Sequence, residues 1–89
     1  MASIKVIFFG QLRTLTGTRE TTIALEDNSV LSHLISHLDK EYKDFETQMN
    51  SINGLRILIN GQEYELIGGL KTPLHDGDTV VFLPPIFGG

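Results

Sequence analysis

The chain opens on Ile4-Lys5-Val6-Ile7-Phe8-Phe9, β-branched and aromatic residues that are apolar at both alternating positions except Lys5. Such a strand suits the interior of a sheet, buried on both sides. Gly10 to Gly17 then turns the chain, and Thr21-Thr22-Ile23-Ala24-Leu25 resumes as a second strand, predicting a hairpin with a long loop. Glu26-Asp27-Asn28-Ser29 supplies acids and side-chain oxygens suited to a helix N-terminus. From near Val30 the apolar period changes from two to about 3.6. Leu34, Ile35, Leu38, Tyr42 and Phe45 follow Leu31 at +3, +4, +7, +11 and +14. That stripe predicts one helix lying across a sheet and fraying after Tyr42 or Phe45, because Gln48 to Gly54 lacks a clear period and is rich in turn formers.

Leu55-Arg56-Ile57-Leu58-Ile59 predicts a third strand, ended by Asn60-Gly61, a pair suited to the positive φ angles of a type I′ turn. Gln62 to Leu66 predicts a short edge strand whose Glu residues discourage pairing with another chain. Gly68-Gly69 reads as a turn, since neither a Lys-Ser/Thr pair nor a third glycine accompanies it as in a phosphate loop. After the turn chemistry of Thr72 to Asp78, Thr79-Val80-Val81-Phe82-Leu83 is again apolar at both alternating positions. Two interior strands, first and last in the chain, are best satisfied as neighbours in the middle of a mixed sheet, flanked by the two hairpins and covered by the helix on one face. The expected fold is α+β: a ubiquitin-like β-grasp of four or five strands with one main helix, spanning residues 1–83, and a flexible Gly-Gly tail at 84–89.

Composition narrows the chemistry. A chain of 89 residues, 40% of them hydrophobic, holds one modest core and no deep enclosed active site. It has no cysteine, which excludes disulfides, thiolate zinc sites and a Cys nucleophile. The net charge of −4 and the scattering of its seven Lys and Arg residues disfavour nucleic-acid binding. Met1-Ala2-Ser3 runs at once into a strand, and no apolar run approaches a bilayer span, so a cytoplasmic protein without a membrane partner is expected. His33, His37 and Glu41 share an i, i+4 helix face but lack a fourth ligand; a solvated face is the reading and no metal is expected. His75 stands alone in a loop, and no Ser-His-Asp spacing or acid/base pair is present. Attention therefore passes to the end of the chain. Pro84 and Pro85 favour an extended, stiff course. Ile86 and Phe87 follow, and Gly88-Gly89 can thread a channel too narrow for other residues, with the Gly89 carboxylate as its only reactive group. The alternative is an ordinary frayed terminus.

The order of these pieces resembles the sulfur-carrier family typified by the molybdopterin synthase small subunit (MoaD-like). The resemblance rests on Ile4 to Arg13 followed by Thr16-Gly17, the Ile59-Asn60-Gly61 hairpin, Leu74-His75-Asp76-Gly77-Asp78 and the Pro84-Pro85 to Gly88-Gly89 ending. Small archaeal ubiquitin-like modifiers share these features, and thiamin-pathway sulfur carriers share the fold and the Gly-Gly end. The chain departs from the family pattern at Thr14 after Arg13, where an acid is frequent, and at Phe87, where a small residue precedes the glycines. The resemblance implies that Gly89 is adenylated by a separate activating enzyme, which uses ATP and Mg²⁺, and becomes a thiocarboxylate that gives its sulfur to molybdopterin within a large synthase subunit. It also implies that this chain binds no cofactor and is not catalytic alone, acting as small subunit or co-substrate of a sulfurtransferase. Ile86 and Phe87 would thread with the glycines, while Phe9 and Arg13 would meet the partner. The rival readings are a modifier joined through Gly89 to lysines of target proteins, a thiamin-pathway carrier, and a plain β-grasp interaction domain with an idle terminus.

Overall fold

First and last strands lie side by side, as expected, in the computed structural model, which describes residues 1–85. In chain order the elements are β1 (Ala2–Phe8), α1 (Gly10–Thr16), β2 (Glu20–Leu25), α2 (Leu31–Glu41), α3 (Phe45–Ser51), β3 (Arg56–Ile59), β4 (Gln62–Glu63), α4 (Tyr64–Ile67), a short 3₁₀ turn (Gly69–Lys71) and β5 (Thr79–Leu83). The five strands form one mixed sheet in the order β2-β1-β5-β3-β4. β5 runs parallel to β1, with Lys5 opposite Thr79 and Phe8 opposite Phe82, and antiparallel to β3, with Ile57 opposite Phe82. Both predicted hairpins flank this centre, and Asn60 and Gly61 take the positive φ angles expected of the tight turn, 51° and 84°. The arrangement is the ubiquitin-like β-grasp.

The α2 stripe folds as its spacing dictates: Leu31, Leu34, Ile35 and Leu38 are buried in one cluster with Ile4, Val6, Phe8, Ile57, Val80 and Phe82 of the sheet. Each such side chain contributes about 1.5–3 kcal/mol through lost apolar surface. Burial is one-sided, however. Ala2, Ile4, Val6 and Phe8 are buried while Ser3 and Lys5 are exposed, and Ile7, Leu58 and Val81 on the second face are only half-buried. The expectation of strands buried on both sides is corrected: β1 and β5 are hydrogen-bonded on both edges, but helices cover a single face.

Four further expectations give way. Gly10 to Gly17 is not simply a loop; α1 forms there, closed by Gly17, whose N–H donates to the Arg13 carbonyl at 2.9 Å, with Leu12 buried beneath it. The segment after α2 is not frayed. Tyr42 leaves helical geometry, Asp44 takes φ 65°, and Phe45 opens a second helix instead of extending the first. The Asp39 carboxylate accepts a hydrogen bond from the Glu46 N–H at 2.9 Å and so satisfies one of the free donors at the start of α3. The Gln62 to Leu66 strand shrinks to two residues, because Tyr64 and Ile67, three apart, both pack on the core, whereas Leu66 is 81% exposed. Glu26 to Ser29 also caps differently: the Val30 N–H donates to His33 Nδ1 at 3.0 Å, so His33 serves the start of α2.

Candidate functional site at the root of the C-terminal tail

β5 delivers the end of the chain to one corner of the sheet. Its last core residue, Phe82, stacks with Phe8 at 6.0 Å between ring centroids and meets the edge of Phe45 at 5.4 Å. Phe45 also meets Phe8 edge-on at 5.7 Å, and all three rings are fully buried. Aromatic pairs in this geometry contribute about 0.5–1.5 kcal/mol beyond their buried area. The corner above them is therefore set on a floor of three interlocked, fully buried rings.

From this floor the two central strands emerge together. The Phe9 N–H donates to the Phe82 carbonyl at 3.2 Å, which holds the exit of β1 against the exit of β5. Pro84 is buried, so the packed body reaches beyond the expected boundary at Leu83, and Pro85 is half-buried. Gly10 and Gly54 bring their backbones against the two proline rings: an ideal Cβ on Gly10 would lie 3.2 Å from Pro84 Cγ, and one on Gly54 would lie 3.6 Å from Pro85 Cγ. Phe9, 44% exposed, stands beside this root. Arg13 is exposed one turn along α1, and with Gly10, Thr14, Gly17, Thr18 and Arg19 it lines a shallow polar depression.

The uncovered sheet face continues from the same corner. Register places Ile7 beside Val81, and Val81 beside Leu58, as an apolar row across β1, β5 and β3. Two ion pairs bound it: Lys5 with Glu20 at 3.2 Å on one side, and Arg56 with Glu63 on the other. Tyr64, on the opposite layer, ionises above the ordinary phenol range, first because burial and then because the neighbouring Glu65 disfavours the phenolate. It is a neutral packing group. Among the described residues no cluster of His, Asp and Glu could hold a metal ion, and His37 instead faces Glu41 at 3.6 Å. No described helix is long and apolar enough to cross a membrane.

Of the residues singled out in the sequence, Phe9, Arg13, Pro84 and Pro85 converge on one corner, whereas Ile86, Phe87, Gly88 and Gly89 lie outside the described residues. Gly10 and Gly54 belong to the same corner although sequence reasoning gave them only a turn. Their positive φ angles, 58° and 78°, fit that turn role; their contact with the prolines was not legible. Among the described residues the depression beside the root is open to solvent. The corner is a firmly seated root with apolar and basic side chains around it.

The comparisons with known proteins agree with this geometry. The ThiS family matches residues 6–89. The molybdopterin synthase sulfur carrier subunit of Escherichia coli is 33% identical over 86 residues, covering 97% of this chain and 99% of that protein. The solution structure of small archaeal modifier protein 1 from Methanosarcina acetivorans is similar with a TM-score of 0.81 and 30% identity, covering 100% of this chain and 98% of that one. A chain in the complex of subunits 1 and 2 of the molybdopterin-converting factor from Helicobacter pylori is similar with a TM-score of 0.63 and 28% identity, covering 98% and 99%. The chain therefore belongs to the ThiS family, within the ubiquitin-like group of sulfur carriers and protein modifiers.

Proposed function

We propose that this protein is a sulfur carrier that works through the carboxylate of Gly89 in molybdopterin synthesis. The observation that carries the reading is the seated root: a central strand, held on an aromatic floor, leads through Pro84 and Pro85 into a short ending on Gly88-Gly89. A free terminal carboxyl group, with a pKa of about 3.3–3.7, is anionic at neutral pH and a poor electrophile. An adenylating partner supplied with ATP and Mg²⁺ would join it to AMP and release pyrophosphate. Sulfide, or an equivalent sulfur donor, would then attack the acyl carbon, AMP would leave with the bonding electrons, and a thiocarboxylate would remain. Inside a large synthase subunit that sulfur would bond to a precursor of the molybdopterin dithiolene, and water would then cleave the acyl–sulfur bond, leaving sulfur on the precursor and a carboxylate on Gly89. The likeness to the sulfur carrier subunit of E. coli and to a chain of the H. pylori two-subunit complex supports this choice of client.

The same activated Gly89 can be attacked by a lysine amine, giving an isopeptide bond, and the likeness to an archaeal modifier protein favours this as the second reading. Intact mass spectrometry of the protein isolated from its own cell separates the two. A carrier shows sulfur in place of one oxygen at Gly89, increasing in cells that need molybdopterin. Carboxylate alone, with and without molybdenum, together with a ladder of larger conjugates on an immunoblot, overturns the carrier reading in favour of the modifier.

A further inference from the structure

We propose that Gly10 and Gly54 are positioning residues: they form a two-sided saddle for Pro84 and Pro85 that fixes the origin of the tail, and so how deeply Gly89 enters a partner. Seven described glycines have positive φ, so a left-handed backbone alone does not mark these two. What marks them is their neighbours. Among the described residues, a Cβ at Gly17, Gly61, Gly69 or Gly77 would meet nothing within 4 Å, and one at Gly68 would meet Thr72. At Gly10 and Gly54 it would meet the described root of the tail, through Pro84 and Pro85 in turn. Gly10 ends the exit from β1, and Gly54 ends the turn from α3 into β3, so the root is gripped from two separate parts of the chain.

At Gly10 the fit is tight. The 3.2 Å approach to Pro84 Cγ is shorter than ordinary carbon contact, which lies at about 3.5–4.0 Å. The atom met belongs to a closed ring on a buried residue, which cannot swing aside as a long side chain would. A methyl group there must push the ring away by a few tenths of an ångström, and with it the start of the tail. At Gly54 the 3.6 Å distance is ordinary contact, so this wall supports the ring without crowding it.

The consequence for transfer is geometric. Four residues follow Pro85. At about 3.3–3.6 Å per extended residue they span at most roughly 14 Å. A partner must therefore bring its reacting centre within that distance of the saddle, and a displaced root misaligns the carboxyl carbon.

The test uses the full-length protein. Gly10→Ala introduces both the left-handed strain and the Pro84 contact, whereas Gly17→Ala, at φ 74° with open space around it, introduces the strain alone. Both are compared by thermal melting, by NMR couplings and contacts between Pro84 and residues 9–10, and by ATP–pyrophosphate exchange with the adenylating partner. A misplacement near 1 Å costs up to about a hundredfold in rate, so a ring pushed by a few tenths of an ångström is expected to make exchange by Gly10→Ala about threefold slower than by Gly17→Ala. Pro84→Ala removes the ring atom that is met, so adding Gly10→Ala to Pro84→Ala is expected to cost no more exchange than the strain alone costs in Gly17→Ala. Equal exchange in the two glycine variants, or additive losses in the double variant, overturns the saddle. The catalytic readout rests on the transfer chemistry proposed at Gly89, while the NMR readout does not. Wild-type protein that supports no exchange refutes that chemistry, and an unmoved Pro84 in Gly10→Ala refutes the saddle.

Discussion

The two ends of the central strand pair are held by opposite kinds of interaction. At the tail end, Phe8, Phe45 and Phe82 form an apolar floor, and the Phe9 N–H to Phe82 carbonyl bond joins the strand exits. At the far end the fastening is polar. Asn60 donates to Asp78 Oδ1 at 2.9 Å and accepts from the Thr79 N–H at 3.0 Å, while the His75 N–H donates to Asp78 Oδ2 at 2.8 Å. The Ser3 N–H donates to Asp76 Oδ1 at 2.7 Å, and the Lys5 N–H donates to the Asp78 carbonyl at 2.9 Å. Directional bonds specify register, and a slip of one residue would turn every β5 side chain to the opposite face. The far end thus fixes which residue of β5 reaches the corner, and the near end supplies the stiffness that keeps it there.

Breaking the near end has the largest expected effect. Phe82→Ala opens a cavity among three rings and is expected to cost about 3–5 kcal/mol, a large share of the roughly 5–15 kcal/mol that holds a native domain together. Urea denaturation measures it. A loss below about 1 kcal/mol would mean that the aromatic floor is not what seats the root. Breaking the far end comes next. Asp78→Ala removes the acceptors of Asn60 and of the His75 N–H, and is expected to cost about 1–3 kcal/mol. Hydrogen exchange sharpens the comparison. If the far end sets register, the Phe9 amide, bonded to Phe82 at the other end, should exchange faster in Asp78→Ala than the drop in global stability requires. Protection that falls only in step with stability would confine Asp78 to its own turn.

The sequence was most informative where one physical cause acts over neighbouring residues. The continuous apolar runs of Ile4 to Phe9 and Thr79 to Leu83, the helical stripe from Leu31 and the Asn60-Gly61 turn lead directly to sheet order and hairpins. The missed elements depend on partners far along the chain or on segments too short to show a period. α1 is seven residues with only Leu12 buried, and α3 takes its cap from Asp39 in the helix before it. The interior strands read as covered on both faces because Ile7 and Val81 are apolar, although they form the uncovered row. The candidate site divides in the same way. Two prolines before a glycine pair are visible as a tail in any listing of the residues. That Gly10 and Gly54 meet those prolines depends on bringing together positions 74 and 31 residues apart, and their turn geometry already explains each glycine without that contact.

The smallest expected effect concerns the basic side of the corner. Arg13 is exposed in the last turn of α1, where a positive charge complements the helix end by a few tenths of a kcal/mol at most. Arg13→Ala should therefore leave the melting curve within about 0.5 kcal/mol of the parent. Its expected influence is on encounter with a partner. An exposed ion pair across a docking rim is worth about 0.2–1 kcal/mol, up to roughly fivefold in affinity, and acts mainly on the association rate. The loss should appear in ATP–pyrophosphate exchange at low salt, be restored by Arg13→Lys, and shrink as ionic strength rises and the Debye length falls to about 8 Å near physiological salt. This pattern distinguishes steering from seating. A defect of the saddle moves the carboxyl carbon and persists at every salt concentration, whereas a defect at Arg13 changes only how often the corner meets its partner. Loss that Lys cannot restore, or that salt does not erase, would make Arg13 a shape contact and part of the seat itself.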